Sequence, residues 1–249
     1  RHAVTVKRLA VGESVDIADG AGKRLTGAVA AVAPNELTVT CSELSDEPQP
    51  AVRLVLVQAL AKGDRDELAA ETATELGIDA VVPWQAERSI VRWKAERAAK
   101  AHAKWQSVVT AAAKQARRAW IPEVRSAVDG AGLQAAVAAA DLAIILHEDA
   151  VRPLRQVLEA GQAGFAPEDT AAEDSAAGGS GRAASEDRGA GAGREVLLIV
   201  GPEGGISPRE VTRLCDAGAV TALLGDHVLR SSTAGPAATV LASDILGRW

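Results

Sequence analysis

The stretch IVGPEGGISPRE, residues 199–210, predicts a strand end, a glycine loop and a helix start in immediate succession. The apolar β-formers EVLLIV lead into the loop, and Ser207, Pro208 and Glu210 match a helix N-cap, a first helical position and a capping box. Loops of this kind present backbone N–H groups to a ligand. Glu203 lies at the centre of the loop and would repel a phosphate, so the pattern indicates a different ligand.

Strands and helices alternate on both sides of this loop from about residue 51. The runs VRLVLVQAL, IDAVVP, LAIILHE, EVLLIV and VTALLG are predicted strands, and helical segments separate them. Such alternation predicts an α/β fold with a mostly parallel sheet that is covered on both faces. The last helix, within TAGPAATVLASDIL, is apolar nearly all round. That pattern predicts burial on all sides, through a subunit interface or an unusual threading of the chain end.

The first 45 residues are predicted to form a separate β domain. Short alternating segments surround the turn DGAGK, and NELTVTC predicts another strand of a small barrel or sandwich. Residues 46–50 are the predicted linker to a second domain at 51–249. The chain lacks methionine even at position 1. We therefore expect it to begin inside a longer protein, with the start of the β domain missing.

Residues 161–194 interrupt the second domain with Gly, Ala, Ser and acidic residues and one large apolar side chain, Phe165. Such a composition buries too little surface to offset the entropy of ordering. We predict a flexible surface insertion, with a functional tail as the alternative.

The composition and the missing motifs narrow the function. No apolar run approaches the roughly 20 residues of a transmembrane helix, so we expect no membrane association and a cytoplasmic protein. Cys41 and Cys215 fit no metal spacing, and neither do the four histidines. We predict no metal site and two reduced, buried thiols. The chain has no Walker motif, no early G-x-G-x-x-G and no G-x-S-x-G, which argues against the common nucleotide-binding and hydrolase sites.

The net charge of −6 is distributed unevenly along the chain. Ten basic residues lie between Arg88 and Arg125, and only Glu96 and Glu123 oppose them. Local charge decides what a surface attracts, so this segment predicts contact with nucleic acid. The alternative for its individual lysines is an ordinary solvated helix face.

Three loops follow predicted strands and contain glycines and acidic residues. They are LHED at 146–149, GPEGG at 201–205 and LGDHVLRSSTAG at 224–235. In parallel α/β sheets ligands bind at the carboxyl ends of the strands. The three loops therefore predict one pocket, unless they are only tight turns.

GPEGGISPREV followed by LGDHVLRSSTA closely resembles the signature of the SPOUT-superfamily RNA methyltransferases of the RsmE type, which methylate N3 of a uridine in 16S ribosomal RNA. ALAKGDRDELAAETATELGIDAVVP, ERSIVRWK, KQARRAWIPEV and HAVTVKRLAVGESVDIADG resemble further segments of that family. The resemblance covers nearly the whole chain outside 161–194. It implies a deep trefoil knot in the second domain, a PUA-like first domain, S-adenosylmethionine as cofactor, the small ribosomal subunit as partner, and a homodimer.

The resemblance also implies roles for individual residues. Glu203 and Arg230 are the implied catalytic residues, because a carboxylate suits a cationic sulfonium and an arginine suits a developing uracil anion. The family often has Thr-Glu-Thr-Ala after VLR, whereas this chain has Ser231-Ser232-Thr233-Ala234. This chain therefore lacks a glutamate that could act as a base at that position, which favours Glu203 instead. The alternative is that Glu203 caps the following helix and orders the loop. The implied cofactor-binding residues are Leu146, His147, Glu148, Gly201, Pro202, Glu203, Gly204, Gly205, Leu224, Gly225, His227, Val228, Leu229, Ser231 and Ala234.

The basic segment would then bind RNA phosphates. Trp84, Trp93, Trp105 and Trp120 lie among or beside its charges, where they either stack on bases or pack in the core. Two other functions stay open: a related enzyme that methylates a ribose 2′-hydroxyl or another base, and a non-catalytic RNA-binding assembly factor. The predicted RNA-contacting residues are Lys7, Arg8, Lys62, Arg88, Arg92, Gln115, Arg117 and Arg118.

Overall fold

A computed structural model describes residues 9–34, 36–164 and 193–249. In chain order the elements are β1 (Ser14–Ala18), β2 (Lys23–Ala33), β3 (Glu36–Asp46), β4 (Val52–Ala59), α1 (Arg65–Glu75), β5 (Ala80–Trp84), α2 (Ala95–Gln115), β6 (Glu123–Val124), α3 (Gly130–Ala139), β7 (Leu142–Leu146), α4 (Leu154–Ala163), β8 (Arg194–Val200), α5 (Pro208–Asp216), β9 (Val220–Ala222) and α6 (Ser231–Ile245).

A six-stranded parallel sheet with the order β6-β5-β4-β8-β7-β9 forms the centre of the structure. Its central strands β4 and β8 are buried on both faces. On one face Leu54, Leu56 and Leu198 pack with apolar residues of α1, α2, α4 and α6. On the other face Val55 and Ile199 belong to a cluster that includes residues of α3 and α5. The prediction of an α/β fold with a mostly parallel sheet is confirmed.

The described residues of the predicted β domain form an antiparallel sheet with the order β1-β2-β3. β3 runs to Asp46, one residue into the predicted linker. This sheet is attached to the segment that links α2 to β6. The Ile121 N–H donates to Gly20 O at 3.0 Å, and Trp120 Nε1 donates to Glu47 O at 2.7 Å. The antiparallel sheet therefore sits near the amino ends of the parallel strands.

The last helix, α6, does not bury every side within this chain. Its buried face consists of small residues such as Gly235, Ala238 and Ala242, whereas the larger Leu241 and Ile245 stay partly exposed. A Cβ on Gly235 would lie 2.8 Å from Leu56 Cδ1, so the helix approaches β4 too closely for a larger residue. One chain therefore buries a single face of α6, and burial of its other sides, through a subunit interface or an unusual threading of the chain end, stays a prediction.

Three further expectations can be compared with the structure. Cys41 and Cys215 are free but exposed, so the prediction of buried thiols was wrong. Trp84 and Trp105 have exposed fractions of 0% and 1%, which makes them core residues that cannot stack on a base. α4 continues to Ala163 and β8 begins at Arg194, so both ends of the predicted insertion are regular structure. The rest of that prediction, at 165–192, lies outside the described residues.

Among the helices in the described ranges, none has the length and apolar character to span a bilayer. Within the same ranges no group of three or more His, Cys, Asp or Glu side chains could hold a metal ion.

Candidate methyl-donor and RNA site

One cavity of about 960 Å³ opens at the carboxyl edge of the parallel sheet, where the three predicted loops meet. The loops follow β7, β8 and β9. In the sheet β7 lies between β8 and β9, so the three strand ends are side by side. The volume lies in the range of small-molecule binding sites. All fifteen residues predicted to bind the cofactor line this cavity: Leu146, His147, Glu148, Gly201, Pro202, Glu203, Gly204, Gly205, Leu224, Gly225, His227, Val228, Leu229, Ser231 and Ala234.

The glycine loop 201–205 has its shape because of local sterics and a helix cap. A Cβ on Gly201 would lie 2.6 Å from Ile206 Cγ1, and Gly205 has a positive φ of 71° that disfavours other residues. Ser207 Oγ accepts the Glu210 N–H at 3.1 Å, and Glu210 Oε2 accepts the Ser207 N–H at 3.2 Å. This is the capping box predicted for the start of α5.

Glu203 is anchored across the cavity rather than to α5. Its Oε1 accepts the Lys62 N–H at 3.2 Å and Arg65 Nη1 at 3.1 Å. The side chain keeps 27% of its surface exposed. The predicted capping of α5 by Glu203 was wrong, since Ser207 and Glu210 fill that role. The carboxylate instead orders the glycine loop against the connection between β4 and α1.

Arg65 also lines the cavity, and the sequence reasoning missed it. It lies 138 residues from Glu203, and the two meet because β4 is the neighbour of β8 in the sheet. Only the strand order reveals this proximity, and no local motif specifies that order.

Arg230 and Ser231 stand at the amino end of α6 on the cavity wall. Within the described ranges the exposed Arg230 side chain forms no hydrogen bond or ion pair. Ser231 Oγ is buried and has no hydrogen-bond partner among the described residues. A buried hydroxyl without a partner is rare, and here it borders a cavity, so a ligand atom is its natural partner. Both residues are free to act on a bound molecule.

The segment between β5 and α2, residues 85–93, packs onto the glycine loop. Arg88 Nη1 donates to Gly204 O at 3.0 Å, and Arg88 lines the cavity. Ser207 Oγ donates to Glu87 Oε2 at 2.7 Å, and Arg209 Nε donates to Glu87 Oε1 at 2.9 Å. The Ser207 hydrogen bond, followed by that of Arg209, lowers the pKa of Glu87 below its ordinary range, so the carboxylate stays ionised.

The predicted RNA-contacting residues fall into three groups. Lys62, Arg92, Gln115 and Arg117 are exposed, as is Arg88 at the rim of the cavity. Lys7 and Arg8 lie outside the described residues. The surroundings of Arg118 argue against its predicted contact with RNA. Its side chain keeps only 16% of its surface exposed and pairs with Asp79 at 3.6 Å.

Arg118 is a structural residue of the amino edge of the sheet. Its Nη1 donates to Thr74 O at 2.8 Å and to Ile78 O at 2.6 Å, which ties the end of α1 to the start of β5. Burial lowers the pKa of its guanidinium, while the charge of Asp79 opposes that shift. A guanidinium held in this way cannot also reach an RNA phosphate.

Two other basic residues of the segment pair with acidic side chains. The exposed Lys104 pairs with Glu67 at 2.7 Å and with Asp64 at 3.2 Å, while Arg125 pairs with Glu195. Seven further basic side chains of the segment are exposed and form no ion pair among the described residues: Arg88, Arg92, Lys94, Arg97, Lys100, Lys114 and Arg117.

The family model of an RNA methyltransferase domain matches residues 47–243 of the chain. The chain belongs to the RNA methyltransferase family. It is also 34% identical to the ribosomal RNA small subunit methyltransferase E of Mycobacterium bovis, over 100% of this chain and 84% of that protein. The protein of the same name from Bacillus subtilis is 26% identical over 94% of this chain and 82% of its own length.

Solved structures of methyltransferases have the same architecture. A Legionella pneumophila methyltransferase in complex with S-adenosylmethionine is 26% identical, with a TM-score of 0.72 over 98% of this chain and 87% of that one. The Neisseria gonorrhoeae ribosomal RNA small subunit methyltransferase E also has a TM-score of 0.72, at 24% identity and the same coverage. The second likeness supports the fold alone.

Proposed function

We propose that this RNA methyltransferase transfers a methyl group from S-adenosylmethionine to N3 of a uridine in 16S ribosomal RNA of the small ribosomal subunit. The observation that supports the proposal most strongly is the single cavity into which all fifteen expected cofactor residues converge. The names of the Mycobacterium and Bacillus relatives support the substrate. The proposed substrate places the activity in the cytoplasm.

The residues of the cavity fit S-adenosylmethionine. Its lining includes carboxylates, among them Glu203 and Glu148, that suit the positive charge of the sulfonium, and three arginines line the cavity as well. The buried Ser231 Oγ lacks a partner that a polar ligand atom would supply. Backbone groups of Gly201, Gly204, Leu224 and Leu229 lie at the wall and would hold the adenosine. Bound S-adenosylmethionine supplies an electrophilic methyl group on a cationic sulfur.

Two residues of this chain would act on the uracil. N3 must lose its proton to become a good nucleophile, which leaves negative charge shared with O2 and O4. Arg230 carries a guanidinium that is unpaired among the described residues at the cavity wall, and it would stabilise that charge. Glu203 is already held by Lys62 and Arg65, so it would accept a hydrogen bond or a proton from a fixed position.

RNA would reach the cavity across the exposed basic residues of α2 and residues 85–94. α2 has 21 residues and is about 31 Å long, so its charges extend well beyond the cavity mouth. The described part of the β domain is a poor phosphate surface, because residues 9–34 and 36–45 contain five acidic and two basic side chains. Any RNA contact of that domain would therefore depend on Lys7 and Arg8.

The domain boundaries, the PUA-like nature of residues 1–45, the trefoil knot and the homodimer are part of the same proposal. The return of α6 from the edge strand β9 to pack against β4 and α1 supports a threaded chain end. Partly exposed apolar residues on α6, such as Leu241 and Ile245, support a partner surface.

The test is transfer of a labelled methyl group from S-adenosylmethionine to small ribosomal subunits that lack the modification, followed by mapping of the labelled nucleoside. The proposal predicts a single 3-methyluridine. Label on a ribose or another base would contradict the N3 assignment and favour a related enzyme. Absence of both transfer and S-adenosylmethionine binding would contradict the enzyme and favour an assembly factor.

A further inference from the structure

Glu87 is the centre of a hydrogen-bond network that none of the roles above uses. It belongs to the segment 85–93, whose Arg88 and Arg92 are proposed RNA contacts. Its carboxylate accepts hydrogen bonds from Ser207 and Arg209 on α5, and its N–H donates to Glu210 Oε1 at 2.8 Å. The backbone and the side chain of this one residue are thus both bound to the first turn of α5.

The network uses the hydrogen-bonding atoms of the Ser207 and Glu210 side chains at the start of α5. Ser207 Oγ uses its proton toward Glu87 and a lone pair toward the Glu210 N–H. Glu210, buried to an exposed fraction of 3%, uses one oxygen for the Ser207 N–H and the other for the Glu87 N–H. The cap of α5 and the attachment of residues 85–93 are therefore a single unit. Loss of the Glu87 carboxylate would leave the Ser207 hydroxyl proton without its acceptor.

Glu87 and its neighbours also fix the arginines that flank it. Arg92 Nη2 donates to Glu87 O at 3.0 Å, and Arg88 Nη1 donates to Gly204 O in the glycine loop. A Cβ placed on Gly204 would lie 3.4 Å from Arg88 Cβ, which shows how closely the two segments pack. A side chain proposed to bind RNA and a loop proposed to bind the cofactor thus share one contact.

We propose that Glu87 is a positioning residue that couples RNA binding to methyl-donor binding. It holds residues 85–93 on α5, so that Arg88 contacts the glycine loop 201–205 and Arg92 contacts Glu87 O. The inference rests on the proposed function. An RNA phosphate would draw Arg88 away from Gly204, and a bound methyl donor would move the glycine loop. Both ligands thus act on the contact between Arg88 and Gly204. Each ligand therefore changes the affinity for the other, and thermodynamic linkage requires the two factors to be equal.

The experiment measures the coupling factor, by which one bound ligand changes the affinity for the other. S-adenosylhomocysteine, which cannot transfer a methyl group, is titrated calorimetrically in the absence and presence of saturating unmodified small subunits. The reciprocal titration measures subunit affinity with and without S-adenosylhomocysteine. For the unaltered protein we expect the two factors to agree at about tenfold, a typical size for coupled sites.

The variants are Glu87→Ala, Glu87→Gln and a surface control, Glu159→Ala, whose carboxylate pairs only with Arg155 one turn away on α4 among the described residues. We expect Glu87→Ala to reduce the factor to about one and to raise KM for subunits, with little change in the affinity for S-adenosylhomocysteine alone. Glu87→Gln can still accept from Ser207 but loses the charge that faces Arg209, so it should restore part of the factor. Glu159→Ala should match the unaltered protein.

Two results would overturn the inference. One is an unaltered protein that binds both ligands and transfers methyl groups but shows no coupling. The other is a Glu87→Gln or Glu87→Ala protein with the full coupling factor and unchanged KM for subunits. Both leave the proposed function intact, whereas failure of the unaltered protein to bind S-adenosylhomocysteine would contradict the proposed function itself. Should Glu87→Ala unfold, Glu87→Gln decides the matter.

Discussion

The arginines at the amino edge of the parallel sheet are used in the opposite way to Arg230 at the carboxyl edge. At the amino edge, Arg118 and Arg248 converge on Asp79, and their remaining hydrogen bonds go to backbone carbonyls. At the carboxyl edge, Arg230 faces the large cavity without a side-chain partner among the described residues. A guanidinium whose donors are used inside the protein thus stabilises the fold, whereas one beside a cavity without a partner among the described residues is available to a ligand.

The amino edge is a closed network. Arg248 binds both oxygens of Asp79, at 2.6 and 3.0 Å, and Asp79 also accepts the Leu54 N–H at 2.8 Å. The exposed fractions of the Asp79 and Arg248 side chains are 9% and 11%. Arg248 lies just after α6, so the network ties the chain end to the start of β4 and β5. A smaller cavity of about 320 Å³ borders Asp79 and Arg118, yet the charges around it are already paired.

The largest effect should come from opening that closed network. Asp79→Ala leaves two buried guanidinium groups facing each other without a carboxylate, so we expect it to lower the free energy of unfolding by about 3–5 kcal/mol. Urea unfolding followed by circular dichroism measures the change. A loss within experimental error of zero would show that the amino edge does not stabilise the fold.

Next in size is the effect of the unpaired arginine. We expect Arg230→Ala to reduce kcat/KM for methyl transfer by about 10²–10³-fold, as for removal of one group that stabilises an anionic transition state. Its urea midpoint should stay unchanged, because the side chain holds no other described residue. Single-turnover transfer of labelled methyl checks the rate. A destabilised but fully active variant would reverse the assignment of the two edges.

Glu203 combines features of both edges, because it lines the cavity and is already paired with Arg65. We expect Glu203→Gln to weaken S-adenosylmethionine binding by roughly fivefold, the weight of a partly exposed charge interaction. Calorimetric titration gives the affinity, and Glu75→Gln at the exposed end of α1 is the control. Unchanged affinity together with unchanged turnover would remove Glu203 from the mechanism and leave it a loop-ordering role.

The smallest effect concerns an exposed arginine outside the cavity. We expect Arg92→Ala to weaken subunit binding only a few-fold, and to reduce the slope of log affinity against log salt by about 0.7, the value for one phosphate of single-stranded RNA. Arg155→Ala on α4 should leave the slope unchanged. Binding isotherms at several salt concentrations measure both. An unaltered slope for Arg92→Ala would place Arg92 among the structural arginines.

Local patterns predicted the carboxyl edge well. The glycines, the N-cap Ser207 and the box residue Glu210 act within a few residues of one another, so the sequence alone specifies the loop and the start of α5. The same holds for the three loops, since each follows a recognisable strand. Their convergence on one cavity follows from the rule that parallel strands share a carboxyl edge.

Long-range pairing is what the sequence could not supply. Arg118 looks like any other arginine of a basic segment, and its partner Asp79 lies 39 residues earlier in the chain. The contact of Arg65 with Glu203 depends on the position of β8 beside β4. For α6, a count of apolar residues could not show that the small side chains pack while Leu241 and Ile245 remain partly exposed.

The most direct test of the contrast between the two edges is a crystal structure of the protein with bound S-adenosylmethionine. The account predicts the methyl donor in the cavity between loops 146–149, 201–205 and 224–235, with a polar atom within hydrogen-bond distance of Ser231 Oγ. A donor bound at the amino edge beside Arg118, or an empty carboxyl-edge cavity at saturating donor concentration, would contradict it.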